Sequence, residues 1–224
     1  MVLQQMDSRA LCQQAPLVSR QVLLLCREIV ERRLRLALWR EAFSLIWECY
    51  EPANKMSTPY CFATCVCTEG ASLSPGGLFC LFSLGGVESK LVCFTLESYE
   101  PFVQLCMQAN LVKLGPRKGM FADIVPCFEE TLRVKREWLD AARDGEERVF
   151  WFGAGEVGLR CVFRHRAWQD REPDGVLLVA VDEMPARYEV EFTEMMLRSS
   201  HVLQRLEESA RHESQMALVI GSFA

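Results

Sequence analysis

The residues around the sequence Gly-Ala-Gly-Glu-Val-Gly at 153–158 constrain the fold of this chain more than any other feature. An apolar run at 148–152 precedes this sequence, and after it Leu159, Cys161 and Phe163 alternate with other residues. A repeat of two is the side-chain period of a β-strand, whereas a helix repeats about every 3.6 residues. The segment therefore predicts a hairpin whose turn is the Gly-rich sequence, and it favours an antiparallel sheet.

The same six residues also match the G-x-G-x-x-G pattern of dinucleotide-binding proteins. In that pattern the glycines, here Gly153, Gly155 and Gly158, bring the backbone close to a pyrophosphate at the N-terminus of a helix. Asp182 lies 24 residues after Gly158, near the place of an acid that binds the ribose. This alternative, a dinucleotide-binding protein, requires a helix directly after Gly158 and stays open as a second hypothesis.

A long apolar stripe dominates the N-terminal part of the chain. Between residues 17 and 50 apolar residues recur at spacings of three, four or seven, and Ser19 is a suitable N-cap. The members of the stripe are Val22, Leu25, Ile29, Leu36, Trp39, Phe43, Ile46 and Tyr50. The pattern predicts one long helix, or two abutting helices, that end at Pro52.

This stripe is longer than a small sheet would cover. We therefore expect its part around Trp39, Phe43 and Trp47 to contact another protein subunit. The charge cluster at 31–35 lies mostly off the stripe, and it is either a solvated helix face or a contact for an acidic partner. Trp168 lies among polar residues and is a further candidate for partner binding.

The remaining segments divide into strands and helices by the same criteria. Strands are predicted at 60–68, 78–84, 90–96, 148–152, 159–163 and 176–181, with a Gly85-Gly86 hairpin turn between the second and the third. Helices are predicted at 99–114, 121–142 and 185–210. These elements predict an α+β fold, with a mainly antiparallel sheet of about five strands covered by helices and a long N-terminal helix. A helical segment, 1–58, and an α+β domain, 59–224, would form one compact unit.

Composition and charge exclude several classes of protein. The 224-residue chain has a net charge of −5, which argues against a general nucleic-acid binder, because such proteins present a basic face. Eleven cysteines lie among apolar neighbours and no secretory signal precedes them, so we expect reduced thiols in a cytoplasmic protein. No stretch is long and apolar enough to predict a transmembrane segment, and peripheral membrane association stays open.

No catalytic motif is recognisable in the sequence. It has no G-x-S-x-G elbow, no H-E-x-x-H and no P-loop. Cys61, Cys65 and Cys67 share one face of a predicted strand, but they form no C-x-x-C pair and are better explained as small buried residues than as zinc ligands. We therefore predict a non-catalytic protein with no cofactor and no metal ion.

The stretch 175–197 resembles the part of a longin-type domain that leads from the last strand into the closing helix. The resemblance rests on Gly175-Val176, Ala180, Asp182-Glu183, Pro185, Arg187, Phe192-Thr193 and Leu197. Over 77–210 the order of predicted elements is also similar to that fold, in which two strands and a helix precede three strands and a closing helix. Longin-type domains are common in vesicle trafficking. The resemblance implies an interaction subunit of a multi-protein assembly, such as a tethering, adaptor or exchange-factor complex.

Overall fold

The structure is a computed structural model that describes residues 2–40, 43–52, 61–70, 77–84, 91–117, 120–164 and 186–212. Within these residues nine strands form one curled sheet, and five α-helices pack with it. The helices are α1 (Val2–Gln5), α2 (Ser8–Gln13), α3 (Arg20–Leu34), α4 (Arg136–Asp140) and α5 (Ser199–His212). The strands are β1 (Phe43–Tyr50), β2 (Cys61–Gly70), β3 (Leu78–Ser83), β4 (Leu91–Leu96), β5 (Phe102–Leu114), β6 (Phe121–Lys135), β7 (Glu147–Phe152), β8 (Val157–Arg164) and β9 (Ala186–Arg198).

Antiparallel pairing joins the strands in the order β6-β5-β1-β2-β3-β9-β8-β7, and β4 pairs with β9 beyond the end of β3. The sheet curls until its two outermost strands, β6 and β7, come together. There the rings of Phe128 and Phe152 lie 5.9 Å apart, and the Gly153 amide donates a hydrogen bond to Glu130 Oε2 at 2.5 Å. Within the described residues no ladder joins β6 to β7, so this closure rests on side chains.

One face of the curled sheet holds the hydrophobic core. The Trp47 ring of β1 meets the Phe192 ring of β9 edge-on at 5.9 Å, and both side chains are fully buried. At another part of the core, Trp138 of α4 packs against Phe150 at 4.8 Å and Phe163 at 5.5 Å. A fully buried phenylalanine such as Phe192 contributes about 1.5–3 kcal/mol by the removal of apolar surface from water. The core therefore joins strands from both ends of the chain.

Helix α5 is fixed to β6 by polar contacts at both of its ends. His201 Nε2 donates a hydrogen bond to the carbonyl oxygen of Cys127 at 2.5 Å, and Ser209 Oγ donates to Asp123 Oδ2 at 3.0 Å. Val202, between them in sequence, is buried in the core. The helix is therefore a rigid support for the elements that pack on it.

The predicted fold class is wrong in the number of strands and in the long N-terminal helix. In the described part of the chain the sheet already has nine strands instead of about five. Helix α3 has 15 residues, and after a π-helical turn, Arg35–Arg40, the chain becomes β1. Seven of the eight residues of β1 are buried, so apolar residues occur on both of its faces. A strand of that kind shows no clear period of two, and its residues fit a helical spacing by accident.

The helices predicted at 99–114 and 121–142 are also wrong, because most of these residues form β5 and β6. Leucine, methionine, alanine and glutamine favour helices, but pairing with neighbouring strands overrides that preference here. The buried residues of β5 occur at every second position: Val103, Leu105, Met107, Ala109 and Leu111. Pro126 is tolerated because it lies on the edge strand β6, next to a shift of register.

The helix predicted from 185 onwards is wrong in its first half, which is β9. Opposite β8 the register shifts at Thr193, because Arg160 pairs with Glu194 whereas Cys161 pairs with Phe192. This bulge breaks the alternation of buried residues. Phe192, Met195 and Met196 then have the spacing of a helix although the chain is extended. Only α5, from Ser199, is helical.

The hairpin predicted around Gly85-Gly86 is wrong, because β3 and β4 do not pair with each other. Both pair with β9, where Ser83 lies opposite Glu194 and Leu91 lies opposite Glu191. The two strands therefore run in the same direction along one edge of β9.

The longin resemblance is overturned by the same topology. The described part of 77–210 contains seven strands, β3 to β9, where a longin-type domain has five. A strand, β9, begins at the place of the closing helix. The strand predicted at 176–181 and the domain boundary predicted at 58 lie outside the described residues.

Candidate partner-binding surface

Helix α3 begins where the sequence predicts. The Ser19 hydroxyl accepts a hydrogen bond from the Val22 amide at 3.2 Å, which satisfies one of the amides that a helix N-terminus leaves without a partner. Cys26, Val30 and Leu34 are buried at a spacing of four residues. This spacing directs one side of α3 into the core.

Arg33 fixes α3 to the other helices. Its guanidinium donates hydrogen bonds to the carbonyl oxygens of Gln4 at 2.9 Å and Met6 at 2.6 Å, and it pairs with Glu207 of α5 at 3.1 Å. Ser8, which is fully buried, donates its hydroxyl to Glu207 Oε1 at 2.5 Å and accepts from Arg33 at 2.9 Å. Hydrogen bonds between charged groups are stronger than neutral ones. This network holds α1, α2, α3 and α5 in one layer, so Arg33 has a structural role.

The opposite side of α3 presents apolar side chains to solvent. Leu24 and Leu25 are 48% and 49% exposed, and Leu17 and Val18, just before the helix, are 84% and 75% exposed. Leu36 in the π-helical turn is also exposed. These residues and the exposed polar residues between them form one stripe, which we call the α3 surface. It consists of Leu17, Val18, Arg20, Gln21, Leu24, Leu25, Glu28, Arg32, Arg35 and Leu36.

Positive charges outnumber negative ones on the α3 surface. Arg20, Arg32 and Arg35 are accompanied by Glu28 alone, which leaves an excess of two positive charges, whereas the whole chain carries −5. Arg35 also lies 3.7 Å from Glu31, beside the surface. Exposed pairs of this kind contribute little to stability, so the arginine remains able to contact another protein. The α3 surface therefore combines apolar contact area with a positive potential.

Two buried thiols lie beneath the α3 surface. Cys12 of α2 and Cys26 of α3 are 5% and 0% exposed. Burial raises the pKa of Cys12 to about 11, with smaller contributions from Cys26 and Glu207 in the same direction and from Arg33 in the opposite one. Burial also raises the pKa of Cys26. Both thiols are protonated at neutral pH and pack as small apolar side chains.

The residues predicted to bind a partner have different settings in the structure. Phe43 and Trp47 lie on β1 and are 7% and 2% exposed, so their side chains pack inside this chain. Trp39 lies in the turn Arg35–Arg40, and its side chain is outside the described residues, as is the whole of Trp168. The exposed part of the predicted stripe is therefore α3 and not β1.

The Gly-rich segment forms the turn between β7 and β8. Gly153, Ala154 and Gly155 have φ angles of 56°, 52° and 90°, in the left-handed region that favours glycine. Gly158 lies within β8, so the predicted hairpin is confirmed. The dinucleotide hypothesis required a helix at this point and loses its structural basis. Asp182 lies outside the described residues.

The sequence pattern misses the α3 surface because it puts Leu25 in one stripe with Val22 and Ile29 and places the partner contact further along the chain, around Trp39, Phe43 and Trp47. The buried positions are instead Cys26, Val30 and Leu34, one residue further along the helix. A signal was nevertheless present, because all residues at 22–26 are apolar. Such a run covers more of the helix circumference than one core requires, and it predicts a second apolar contact.

The fold and the α3 surface define a curled-sheet protein with a helical layer that exposes a basic, apolar stripe. Part of the chain is similar to the F-box protein pof15 of Schizosaccharomyces pombe, with 27% identity over 86 residues. The similar region is 38% of this chain and 30% of pof15, so the match leaves most of both proteins uncovered. No family model and no solved structure matches the chain. Among the described helices none has both the length and the apolar character needed to cross a membrane.

Proposed function

We propose that this protein is a non-catalytic interaction subunit of a multi-protein assembly and that it binds its partner through the α3 surface. The observation that carries the proposal is the half-exposure of Leu24 and Leu25 on a helix whose other side is buried. Apolar side chains grouped on a rigid element are typical of protein-binding sites. Similarity to an F-box protein supports a role in protein interaction. Trafficking complexes are no longer implied, because the longin resemblance is overturned.

The chemistry of the α3 surface favours an acidic amphipathic helix as its partner. The apolar side chains of such a helix would cover Leu24 and Leu25, and its carboxylates would face Arg32 and Arg35 at the other end of α3. Complementary charge sets the orientation and raises the rate of association. Arg33 would keep α3 in place during binding, because it is bound to α1, α2 and α5.

A second copy of this chain is a poorer partner for the α3 surface. The α3 surface of each copy carries an excess of two positive charges, so two copies that pair through it repel each other. Parallel pairing in register sets Arg32 against Arg32. Like charges that face each other in this way reduce affinity. We therefore propose a different protein, with net negative charge, in this position.

The proposal is tested by affinity purification of the full chain from its source cells, followed by quantitative mass spectrometry. The double substitution Leu24→Glu/Leu25→Glu places two carboxylates within the apolar part of the α3 surface. We expect it to deplete a co-purifying protein by about tenfold or more, since burial of a leucine side chain contributes about 1.5–3 kcal/mol and about 1.4 kcal/mol is tenfold in affinity. The depleted protein should contain an acidic amphipathic helix.

Tyr99→Glu is the matched control, because Tyr99 is 80% exposed in the turn between β4 and β5. It adds a carboxylate to the surface far along the chain from α3 and should retain every partner. Circular dichroism and the thermal midpoint would show that all three proteins are folded. If the Leu24/Leu25 variant retains the same proteins as the Tyr99 variant, the α3 surface does not bind them and the proposal is wrong.

A further inference from the structure

The face of the sheet opposite the core carries a half-exposed tryptophan in a fixed position. Trp151 of β7 is 46% exposed. The register of the sheet places four residues in line with it on successive strands, β8, β9, β3 and β2. We call this line the Trp151 row, and it consists of Trp151, Gly158, Met196, Leu81 and Cys67.

Gly158 allows the indole to lie across β8. A Cβ atom at this position would lie 2.6 Å from Met196 Cε and 2.8 Å from Trp151 Cζ3, so a side chain there would displace the indole. The Trp151 ring also packs against Phe79 at 5.7 Å, while Met196 is only 6% exposed. An aromatic side chain held in this way loses little conformational entropy when a partner binds. The third glycine of the G-x-G-x-x-G pattern thus shapes a protein surface.

Among the described residues, negative charges outnumber positive ones around the Trp151 row. The neighbouring charged residues are Glu69, Glu130, Glu156 and Glu194, with Arg160 and Arg198. Arg160 lies between Glu194 at 2.6 Å and Glu69 at 3.9 Å, and Arg198 lies 3.3 Å from Glu156. Four carboxylates against two guanidinium groups leave an excess of two negative charges. The described part of this surface therefore favours a cation beside the indole.

We propose that the Trp151 row binds an arginine side chain of a partner protein, stacked on the open face of the indole. A guanidinium group is planar and weakly hydrated, so it stacks on an aromatic face at a lower desolvation cost than an ammonium group. The surrounding carboxylates complement its charge. Met196 and Leu81, each 6% exposed, support the indole from beneath, and the part of the indole that the guanidinium group leaves open can receive an apolar residue beside it. The α3 surface has the opposite sign of charge. The Trp151 row is therefore a second site, for a different partner segment.

A second copy of this chain would be another source of arginine, from its α3 surface. Such a contact joins two different surfaces and would build open chains of molecules. Sedimentation of the purified protein distinguishes the two cases. We expect a monomer over the micromolar range. If the sedimentation coefficient rises with protein concentration, and this rise disappears in Trp151→Leu, the Trp151 row mediates self-association and the proposal is overturned.

The binding test uses a random heptapeptide library displayed on phage and selected on the full-length chain. We expect the selected peptides to share an arginine next to an apolar residue. Replacement of that arginine by glutamine in the synthetic peptide should weaken binding about tenfold, as measured by fluorescence polarisation. The affinity should also fall with added salt, because part of it is electrostatic.

Three variants of the chain complete the test. Trp151→Leu keeps an apolar cover over Gly158 without an aromatic face, and we expect about tenfold weaker binding. Trp151→Phe keeps a smaller aromatic face and should bind with intermediate affinity. Leu24→Glu/Leu25→Glu should bind the peptide as the parent chain does, which separates this site from the α3 surface. Failure to select any peptide whose binding depends on Trp151, selection of Trp151-dependent peptides without arginine, or equal binding of the arginine peptide by Trp151→Leu would each overturn the proposal.

Discussion

Helix α3 and strand β1 come from one apolar stripe in the sequence, yet the fold uses them in opposite ways. β1 is buried on both faces, with seven of its eight residues inside the protein. α3 is buried along one side and exposes Leu24 and Leu25 on the other. A central strand has neighbours in every direction, whereas a helix at the edge of a fold packs on one side. The difference shows that the exposed apolar surface of this stripe lies on α3 and not on β1. A partner protein would therefore bind to α3.

The largest effect is expected from Trp47→Ala in β1. Trp47 is 2% exposed and its ring contacts Phe192 of β9. Truncation leaves a cavity in the centre of the core and should lower the free energy of unfolding by about 3–5 kcal/mol. Urea denaturation followed by circular dichroism measures this change. A loss below about 1 kcal/mol would mean that Trp47 is not a core residue, and the comparison would fail.

The next effect concerns the two sides of α3. Leu34 is fully buried, so Leu34→Ala should lower the free energy of unfolding by about 2–4 kcal/mol. Leu25 is 49% exposed on the other side of α3. Leu25→Ala should therefore change the free energy of unfolding by about 0.5 kcal/mol or less. The same denaturation experiment compares the two variants. Equal losses would show that the α3 surface is covered in the folded chain.

The hairpin of β7 and β8 was predictable, because one of its faces is packed and the other is solvated. Leu159, Cys161 and Phe163 are buried in alternation, so the period of two was visible in the sequence. In β9 the bulge at Thr193 destroyed that period. In β5 the alternation was present, but Leu105 and Met107 belong to residue types with high helix propensity. Pairing with neighbouring strands outweighs that helix propensity. The sequence of a single segment does not show which strands it will pair with.

The candidate sites were less accessible to sequence reasoning than the hairpin. Tryptophan is typical of binding sites and of cores, and composition cannot separate the two uses. The apolar stripe predicts partner binding at Trp47, which lies in the core, whereas no sequence pattern marks Trp151, which is half-exposed. Trp47 and Trp151 differ in the strand on which they lie and in the residue that the neighbouring strand places opposite them. For Trp151 that residue is Gly158, and the pairing is known only from the sheet register.

A smaller effect is expected from Ser19→Ala at the start of α3. The Ser19 hydroxyl caps the Val22 amide, and loss of a cap of this type costs about 1 kcal/mol. Cys26 reports this change, because burial raises the pKa of its thiol and only an opened helix exposes a reactive thiolate. Alkylation of Cys26 by iodoacetamide at pH 8 should become about fivefold faster in the variant, which corresponds to 1 kcal/mol.

Cys49 in β1 is the internal control for this experiment. Cys49 is 2% exposed, and burial raises the pKa of its thiol far above the usual range. It should react slowly in both proteins if local opening of α3 leaves β1 closed. Peptide mapping by mass spectrometry follows both cysteines in one sample. If both rates rise together, α3 and β1 unfold as one unit and do not differ in local stability.

The smallest effect on stability is expected from Arg32→Ala. This variant is informative when it is compared with Arg33→Ala at the adjacent position. Arg32 is exposed on the α3 surface, so its removal should change the free energy of unfolding by about 0.5 kcal/mol or less. Arg33 binds Glu207 and two backbone carbonyls, and Arg33→Ala should cost about 1.5–3 kcal/mol. Urea denaturation at low and high salt measures the free energy of unfolding of both variants. A loss in Arg32→Ala as large as in Arg33→Ala would mean that Arg32 is engaged within the chain. The positive charge of the α3 surface would then be committed to folding and would not be available to an acidic partner.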